Sequence, residues 1–217
     1  MANEIENVGM EPMEVVDNTK LYIAMKKKSD GHMIAATEAE YDQLDKRSYN
    51  IKGAIIRNED EDINLLVFPV QENHVFGIGP ADIPETDKRR KHYVSPSMNQ
   101  MDGQWRTQFL LNEAGVEHSD DCALCYCTHY DPLAWLPSGG EMALINKYKE
   151  EINRIMTLIG GAAIQDANYW TSTQYSKDYA WFANMADGTY GFWLSKTNSL
   201  AVRPVGDASD YEATVME

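Results

Sequence analysis

Cysteine is scarce in this sequence, and the few cysteines that it has lie close together. The 217 residues include three, Cys122, Cys125 and Cys127, all within one short stretch. An odd number at such close spacing does not form the pattern of paired cysteines that cross-links small secreted folds. We therefore expect reduced thiols and a fold that depends on its own apolar core.

Positive charge is also in short supply. The chain has 34 Asp and Glu against 19 Lys and Arg, which gives a formal net charge of −15 at pH 7. The summed field of such a chain repels phosphate, so we expect no nucleic-acid partner.

Long apolar runs are missing too. No stretch reaches the roughly 18–20 apolar residues that a membrane span needs, so we expect no membrane span. The first residues carry acids where a secretory signal needs a basic stretch and an apolar core. No signal peptide is recognised, and the chain as written is expected to be cytoplasmic unless it reaches a virion or a cell surface by another route.

Signatures of catalysis are absent as well. The sequence has no Gly-x-Ser-x-Gly, no His-Glu-x-x-His, no P-loop and no dinucleotide-binding fingerprint. We therefore predict a protein that is not an enzyme and has no cofactor.

The most metal-like cluster consists of the three cysteines with His118 and His129. Zinc prefers thiolate and imidazole ligands in tetrahedral sets. However, a Cys-x-x-Cys pair without a second distant pair is a weak signal, and buried thiols pack as small apolar groups. Packing is favoured and no metal is predicted, with a zinc site and a cysteine nucleophile as the open alternatives.

The first half of the chain is predicted to contain an acidic arm and then a β-rich segment. We place the arm at residues 1–19 and the β-rich segment at 20–97, where it is compatible with belonging to the same domain as the second half. Alternating apolar residues predict strands in this segment, at 21–25, 32–36, 51–56 and 63–70, with a short helix at 38–44. Residues 77–97 are expected to be irregular and include a basic cluster at 88–91.

The second half predicts helices and then strands. A helix is expected at 104–113, a second one is capped by Ser119, and a third extends from the capping box of Ser138 and Glu141 to Gly160. Four strands come next, at 169–173, 180–185, 189–194 and 200–205, with Asp187-Gly188 as a hairpin turn. This order of elements predicts an α+β fold.

Aromatic residues are concentrated between Tyr169 and Trp193. Alternation along strands places about half of them in a core and leaves the others on a surface. Tyr and Trp among Ser, Asn, Asp and Gly are typical of binding surfaces. The alternative is that all of them belong to a core or to an oligomer interface.

A series of motifs carries a resemblance to a known family. In chain order these are Trp135-Leu136-Pro137-Ser138, Glu141, Tyr169-Trp170-Thr171-Ser172-Thr173, Ala180-Trp181, Asp187-Gly188, Lys196 and Val202-Arg203-Pro204-Val205. The series resembles a bacterial and phage domain with the C-type lectin-like fold, over residues 100–206 and more weakly over 50–100. Thr171 replaces a common Ser, Gln174 replaces a common Glu, and the turn at Trp135 is one residue tighter than usual.

The resemblance implies an α+β fold in which short helices pack on a twisted antiparallel sheet. It places a C-type lectin-like domain at 98–206 and leaves an acidic tail at 207–217. It also implies that Trp135, Trp170 and Trp181 are core aromatics, and that Arg203 needs a carboxylate or carbonyl partner.

The resemblance also implies a class of function, because such domains serve as binding modules of bacterial surface proteins and phage tails. Some are similar to the variable proteins of diversity-generating retroelements, whose exposed positions are altered by adenine-directed mutagenesis. By analogy the variable positions here are 175–179, 182–184, 186–187, 189–195 and 197–201. Such mutagenesis of AAC or AAT codons cannot yield Lys, Glu, Gln, Met or Trp, and only Lys177 and Trp193 in these positions are of those types.

The expected function is therefore ligand or receptor binding, as a phage tail protein or surface adhesin. The partner is a protein or glycan on a cell surface, and we expect a homo-oligomer or a component of an assembly. Among the aromatic residues we expect exposure to decrease in the order Tyr175, Tyr179, Tyr190, Phe192, Trp193. The predicted ligand-binding residues are Tyr175, Ser176, Asp178, Tyr179, Phe182, Asn184, Thr189, Tyr190, Phe192, Trp193, Ser195 and Asn198. The alternative is a structural subunit whose aromatic face is an oligomer interface.

Overall fold

The computed structural model describes residues 17–76, 102–112, 119–176 and 178–214, and most of these lie in helices or strands. The predicted arm therefore lies almost wholly outside the described residues, as do the irregular segment at 77–97 and its basic cluster. The helices are α1 Glu38–Gln43, α2 Gly103–Asn112, α3 Ala123–Tyr130, α4 Gly139–Lys147 and α5 Lys149–Ile159. The strands are β1 Lys20–Lys27, β2 Met33–Ala36, β3 Tyr49–Asn58, β4 Ile63–Val67, β5 Glu72–Val75, β6 Asn168–Gln174, β7 Tyr179–Asn184, β8 Tyr190–Ser195, β9 Ser199–Val202, β10 Val205–Asp207 and β11 Glu212–Ala213.

The predicted α+β class is confirmed, since short helices pack on two sheets. Within the described ranges, no helix has both the length and the apolar character required to cross a membrane.

Sheet A contains strands from both ends of the chain. Its order is β10-β4-β3-β1-β2-β11. Strand β10 pairs antiparallel with β4, and β11 pairs parallel with β2. Residues 207–214 differ in this respect from the acidic tail expected at 207–217, because Ala208 and Tyr211 are buried against the sheet.

Sheet B has the order β5-β9-β6-β7-β8. Strand β5 comes from the N-terminal segment and pairs antiparallel with β9, so the two halves of the chain share both sheets. The hairpin predicted at Asp187-Gly188 is confirmed. The amide of Asn184 donates to the carbonyl of Thr189 at 2.8 Å, and Gly188 adopts a φ of +73°, which glycine tolerates without strain.

The long helix predicted from Ser138 to Ile159 is wrong, since the chain forms two helices that meet at Tyr148. Tyr148 has φ −109° and ψ 23°, outside the helical region. It is the C-cap residue of α4 and also the N-cap residue of α5. Helix α4 contacts β6 and β7 of sheet B, whereas α5 contacts β1 and β3 of sheet A. The apolar spacing continues across the break because both helices bury one side, and spacing alone does not show that the two partners differ.

The larger part of the core lies in two layers on either side of sheet B, and a third, smaller cluster packs against sheet A around Ile55, Phe68 and Tyr211. One layer joins sheets A and B through α4 and α5 and includes Ile23, Ile56, Ile152 and Tyr169. The other covers the opposite face of sheet B with α2, α3 and Phe76. Full burial of each such side chain contributes roughly 1.5–3 kcal/mol, so these two layers account for most of the stability.

Arg203 connects these layers through hydrogen bonds to carbonyl groups, as the resemblance implied. Its guanidinium is fully buried and donates to the carbonyls of Phe68 and Ala163 and to Oε1 of Gln71, each at 3.0 Å. These acceptors follow β4, precede β5 and follow α5. The side chain therefore ties two connections, β4–β5 and α5–β6, to the end of β9.

Candidate binding surface at one end of sheet B

The predicted binding residues lie at two opposite ends of β7. Tyr179 pairs with Ser195, and Ala183 pairs with Tyr190. The β6–β7 turn and the β8–β9 turn therefore meet at one end, which we call the β6–β7 end and define by residues 175–179 and 195–199. The residues at the other end, 184–190, form the β7–β8 end. At about 3.3 Å per residue the two ends are roughly 17 Å apart, too far for one small contact area.

The predicted ligand-binding residues therefore do not form a single surface. At the β6–β7 end lie Tyr175, Ser176, Asp178, Tyr179, Ser195 and Asn198; at the β7–β8 end lie Asn184, Thr189 and Tyr190. Phe182 lies between them on β7. The side chains of Phe192 and Trp193 lie outside the described residues.

Backbone hydrogen bonds hold the two turns of the β6–β7 end together. The amides of Tyr175 and Ser176 both donate to the carbonyl of Tyr179 at 3.0 Å. The amide of Lys196 donates to the carbonyl of Asp178 at 2.9 Å, which joins the β8–β9 turn to the β6–β7 turn. The two turns therefore present their side chains in a fixed relative position.

Side chains reinforce each turn. The hydroxyl of Ser176 accepts from the amides of Asp178 and Tyr179 at 3.3 and 3.2 Å. In the other turn, the amide and side-chain amide of Asn198 donate to the carbonyl of Ser195 at 2.9 and 3.0 Å. These groups use part of their hydrogen-bonding capacity within the turns, so they support the surface as well as form it.

The predicted order of exposure is wrong at its start, because Tyr179 is exposed and Tyr175 is only half-exposed. Tyr179 keeps 37% of its surface accessible. Tyr190 is half-buried, and its hydroxyl donates to the carbonyl of Gly139 at 3.0 Å, which fixes it against α4. Its role is therefore packing more than contact with a partner.

Phe182 and Trp181 also differ from the sequence expectation. Phe182 packs against the apolar layer below sheet B and lies over Gly191, its partner on β8, so it is not a freely presented side chain. Trp181 is only half-buried, whereas Trp135 and Trp170 are buried as expected. Trp181 and Phe182 are neighbours on β7, so their side chains point to opposite faces of sheet B. Both are half-buried, so each face of the sheet is partly covered at this position.

Lys196 and Gln174 form a buried polar pair beneath the two turns. The lysine is 5% exposed, and its ammonium donates to Oε1 of Gln174 and lies 5.1 Å from the ring centre of Phe76. Burial lowers the pKa of Lys196 to about 8, and the charge of Asp178 opposes that shift. The pair supports the β6–β7 end from inside.

The three cysteines belong to the apolar layer formed by α3, Cys122 at the N-cap of this helix and Cys125 and Cys127 within it. The Sγ of Cys122 accepts from the amide of Cys125 at 3.3 Å and caps α3, so the prediction of Ser119 as the cap is wrong. Burial raises the pKa of Cys122 to about 12 and that of Cys127 well above its usual value, which keeps both as thiols. His118 lies outside the described residues, and within them no three His, Cys, Asp or Glu side chains are grouped as metal ligands.

Sequence reasoning missed a buried carboxylate next to a cavity. It found the capping box of Ser138 and Glu141, and this box is confirmed, with the amide of Ser138 donating to Oε2 of Glu141 at 2.6 Å. It did not show that Glu141 is 2% exposed, that the indole of Trp135 donates to it at 3.2 Å, or that burial raises its pKa to about 7. No local signal distinguishes this box from the exposed one at Thr37 and Glu40, because burial is decided by strands distant in the sequence.

No protein-family model and no curated protein matches the sequence. Among solved structures, the chain is similar to a fimbrial protein from Bacteroides ovatus, with a TM-score of 0.46 and 13% identity. The match covers 69% of this chain and 37% of that protein, so this chain spans much less than two thirds of its length.

Proposed function

We propose that the chain is a non-enzymatic binding protein whose partner contacts the β6–β7 end of sheet B. The observation that carries the proposal is the exposure of Tyr179 on turns that are hydrogen-bonded to each other. Asp178, Thr197 and Asn198 are exposed around it. A rigid tyrosine surrounded by small polar groups offers contact area and hydrogen bonds at low entropic cost.

The scaffold belongs to the proposal as well. A C-type lectin-like domain at 98–206 is supported by the order of the motifs, by the burial of Trp135 and Trp170, and by the carbonyl partners of Arg203, which the resemblance implies. The sharing of both sheets between the N-terminal and C-terminal segments supports the expectation that residues 20–97 belong to the same domain as the second half.

The proposed setting is a phage tail or a bacterial surface, with a protein or glycan of a cell surface as the partner. We extend the proposal to diversification of the exposed positions by a retroelement. The variable positions include exposed residues at both ends of β7, among them Asp178, Tyr179, Thr197 and Asn198, whereas Ala183 and Ala201 are buried. Sequencing of the locus across a population should find substitutions at the exposed positions and few at the two buried alanines; even or absent variation would contradict diversification.

The binding experiment is a screen of the purified protein against arrays of cell-surface glycans and cell-surface proteins. We expect saturable binding to one class, weakened at least about tenfold by Tyr179→Ser, because truncation of a central aromatic contact costs on the order of 2 kcal/mol. Thr189→Ala, at the β7–β8 end, is the matched control and should leave the affinity unchanged. Equal losses in the two variants would place the contact elsewhere.

A second candidate function is that of a structural subunit, favoured by an exposed apolar site away from the β6–β7 end. Leu133 is 75% exposed and Tyr130 is 41% exposed, in and after α3. Single exposed apolar side chains also occur on monomers, so this candidate is decided by the oligomeric state of the protein. Light scattering should then show a homo-oligomer that Leu133→Glu dissociates, while a monomeric wild-type protein would contradict this candidate.

A further inference from the structure

The exposed side of α2 carries no formal charge, in a chain whose net charge is −15. We call its four exposed residues the α2 face: Gln104, Trp105, Gln108 and Asn112. The charged residue of this helix, Arg106, is 1% exposed, and its Nε donates to Oδ1 of Asp102 at 2.7 Å. Helix α5 by contrast exposes Glu150 and Arg154, as is usual for a surface helix.

Helical spacing places the α2 face on one side of the helix. Gln104, Gln108 and Asn112 recur every four residues, so their amides form a row with steps of about 6 Å along the helix axis. Trp105 lies three residues before Gln108 and therefore borders this row. The other side of α2 packs in the apolar layer below sheet B through Leu110 and Leu111. The α2 face is thus a strip of three amides beside one aromatic ring.

Trp105 is held in position and is still accessible. Its indole stacks on the ring of Phe109, with ring centres 5.9 Å apart and an angle of 23° between the planes. Phe109 is 6% exposed and belongs to the apolar layer, whereas 41% of Trp105 is exposed. An aromatic side chain that is already held at the surface loses little conformational entropy when it contacts a ligand.

The three amides have unused hydrogen-bonding capacity. Within the described residues, the side chains of Gln104, Gln108 and Asn112 form no hydrogen bond with another residue. Each carries two N–H donors and an acceptor oxygen, so each can both donate to and accept from hydroxyl groups. The negative net charge of the chain repels anions. The α2 face therefore fits a neutral ligand that has many hydroxyls and one apolar side.

We propose that the α2 face binds a neutral oligosaccharide, with one sugar ring stacked on Trp105 and the hydroxyls of neighbouring sugars bonded to the three amides. A pyranose ring has an apolar C–H side and a rim of hydroxyls that donate and accept, which matches the indole and the amides. One helical turn is comparable to the length of one sugar unit, so the strip spans about two or three sugars. The α2 face shares no residue with the β6–β7 end, and the proposal does not rest on the function assigned to that end.

Two variants test the ring and the amides separately. Trp105→Ala removes the ring. The double variant Gln104→Ala/Gln108→Ala removes two amides and preserves the helix, because alanine has the highest helix propensity. Its matched control is Gln43→Ala/Gln165→Ala, two exposed glutamines outside the α2 face. Circular dichroism of each variant checks that the fold is retained.

The test is calorimetric titration of the full-length protein with neutral trisaccharides of glucose, galactose, mannose and N-acetylglucosamine, and with trigalacturonic acid as the charged probe. We expect saturable binding of at least one neutral trisaccharide. Trp105→Ala should weaken it at least about tenfold and the glutamine variant about fivefold, while the control variant leaves it unchanged. The proposal is overturned if no neutral trisaccharide saturates, if trigalacturonic acid binds as tightly, or if the control variant loses as much affinity as the glutamine variant.

A hydroxyl-radical footprint with the bound trisaccharide locates the contact. Protection of Trp105 from oxidation is the expected result. Absence of protection at Trp105 overturns the proposal, and protection of Tyr179 in that case assigns the sugar to the β6–β7 end. The two proposals can therefore fail separately.

Discussion

At the scale of single residues, Glu141 makes the stability of the protein depend on pH near neutrality. Its pKa in the folded chain is raised to about 7 from an ordinary value of 4.5, chiefly by burial. The folded state then binds a proton that the unfolded state has lost. The contribution to stability is therefore fully present below about pH 4.5 and is lost as the pH rises through about 7.

Glu141→Gln should remove this dependence. Between pH 5 and 8 the variant should gain on the order of 3 kcal/mol of unfolding free energy relative to the wild type, because its neutral amide resembles the protonated acid at every pH. Urea unfolding at each pH measures the difference.

The control for this experiment is Glu40→Gln, in the exposed capping box. The amide of Thr37 donates to Glu40 at 2.7 Å and lowers the pKa of that carboxyl below its usual 4.5, so it stays ionised from pH 5 to 8. A pH-independent difference is expected for Glu40→Gln. The same pH profile in both variants would contradict the account of Glu141.

Gly103 is required by the close approach of α2 to this carboxylate. A Cβ on Gly103 would lie 2.2 Å from Oε2 of Glu141 and 2.8 Å from the carbonyl oxygen of Leu136. Gly103→Ala should therefore destabilise the fold by roughly 3 kcal/mol, since neither group can move without breaking hydrogen bonds.

Gly160→Ala separates this steric effect from backbone strain. Gly160 ends α5 with a φ of +73°, and a Cβ there would meet no atom within 4 Å. Only the conformational cost, about 1 kcal/mol, is expected. Thermal unfolding of the two variants ranks them, and an equal or smaller loss for Gly103→Ala would contradict the packing that we describe.

At the scale of elements, the sequence indicates which elements form more reliably than what they pack against. The capping box at Ser138 and the turn at Gly188 are local features, and both were predicted. The division of the long helix at Tyr148 was not, since two helices that bury one side each keep the same spacing. Residues 207–214 were expected to form a tail because they are acidic and short of apolar residues, yet backbone pairing with β4 and β2 brings them into sheet A.

Arg203 offers a test of how the elements are connected. Arg203→Met keeps the volume and removes a fully buried guanidinium that donates to three oxygens, so it should cost about 3–5 kcal/mol of unfolding free energy. Arg57 also donates to two carbonyls, those of Ala208 and Tyr211, but it is only half-buried. Water can replace its bonds, and Arg57→Met should cost about 1 kcal/mol. Chemical denaturation that finds equal losses would show that burial of Arg203 is not the cause.

At the scale of the whole molecule, the predicted site was a stretch of sequence, whereas the candidate surface combines two turns. Sequence patterns placed Tyr179 and Asn198 among the binding residues, but they also included Thr189 and Tyr190 at the other end of β7. Which residues of neighbouring strands lie side by side depends on the register of the strands. The register is set only when the whole sheet has formed, so the sequence alone does not show it. The cavity beside Glu141 was missed for the same reason, because its walls come from four separate segments.

The most direct test of the account is a hydroxyl-radical footprint of the protein with and without the partner found by the screen. Three large aromatic side chains have similar exposure and serve as internal reporters: Tyr179 at 37%, Trp105 at 41% and Tyr130 at 41%. If the β6–β7 end is the binding surface, the partner protects Tyr179 from oxidation and leaves Trp105 and Tyr130 unchanged. Protection of Tyr130 with no change at Tyr179 would contradict it and would place the contact on the side of Leu133.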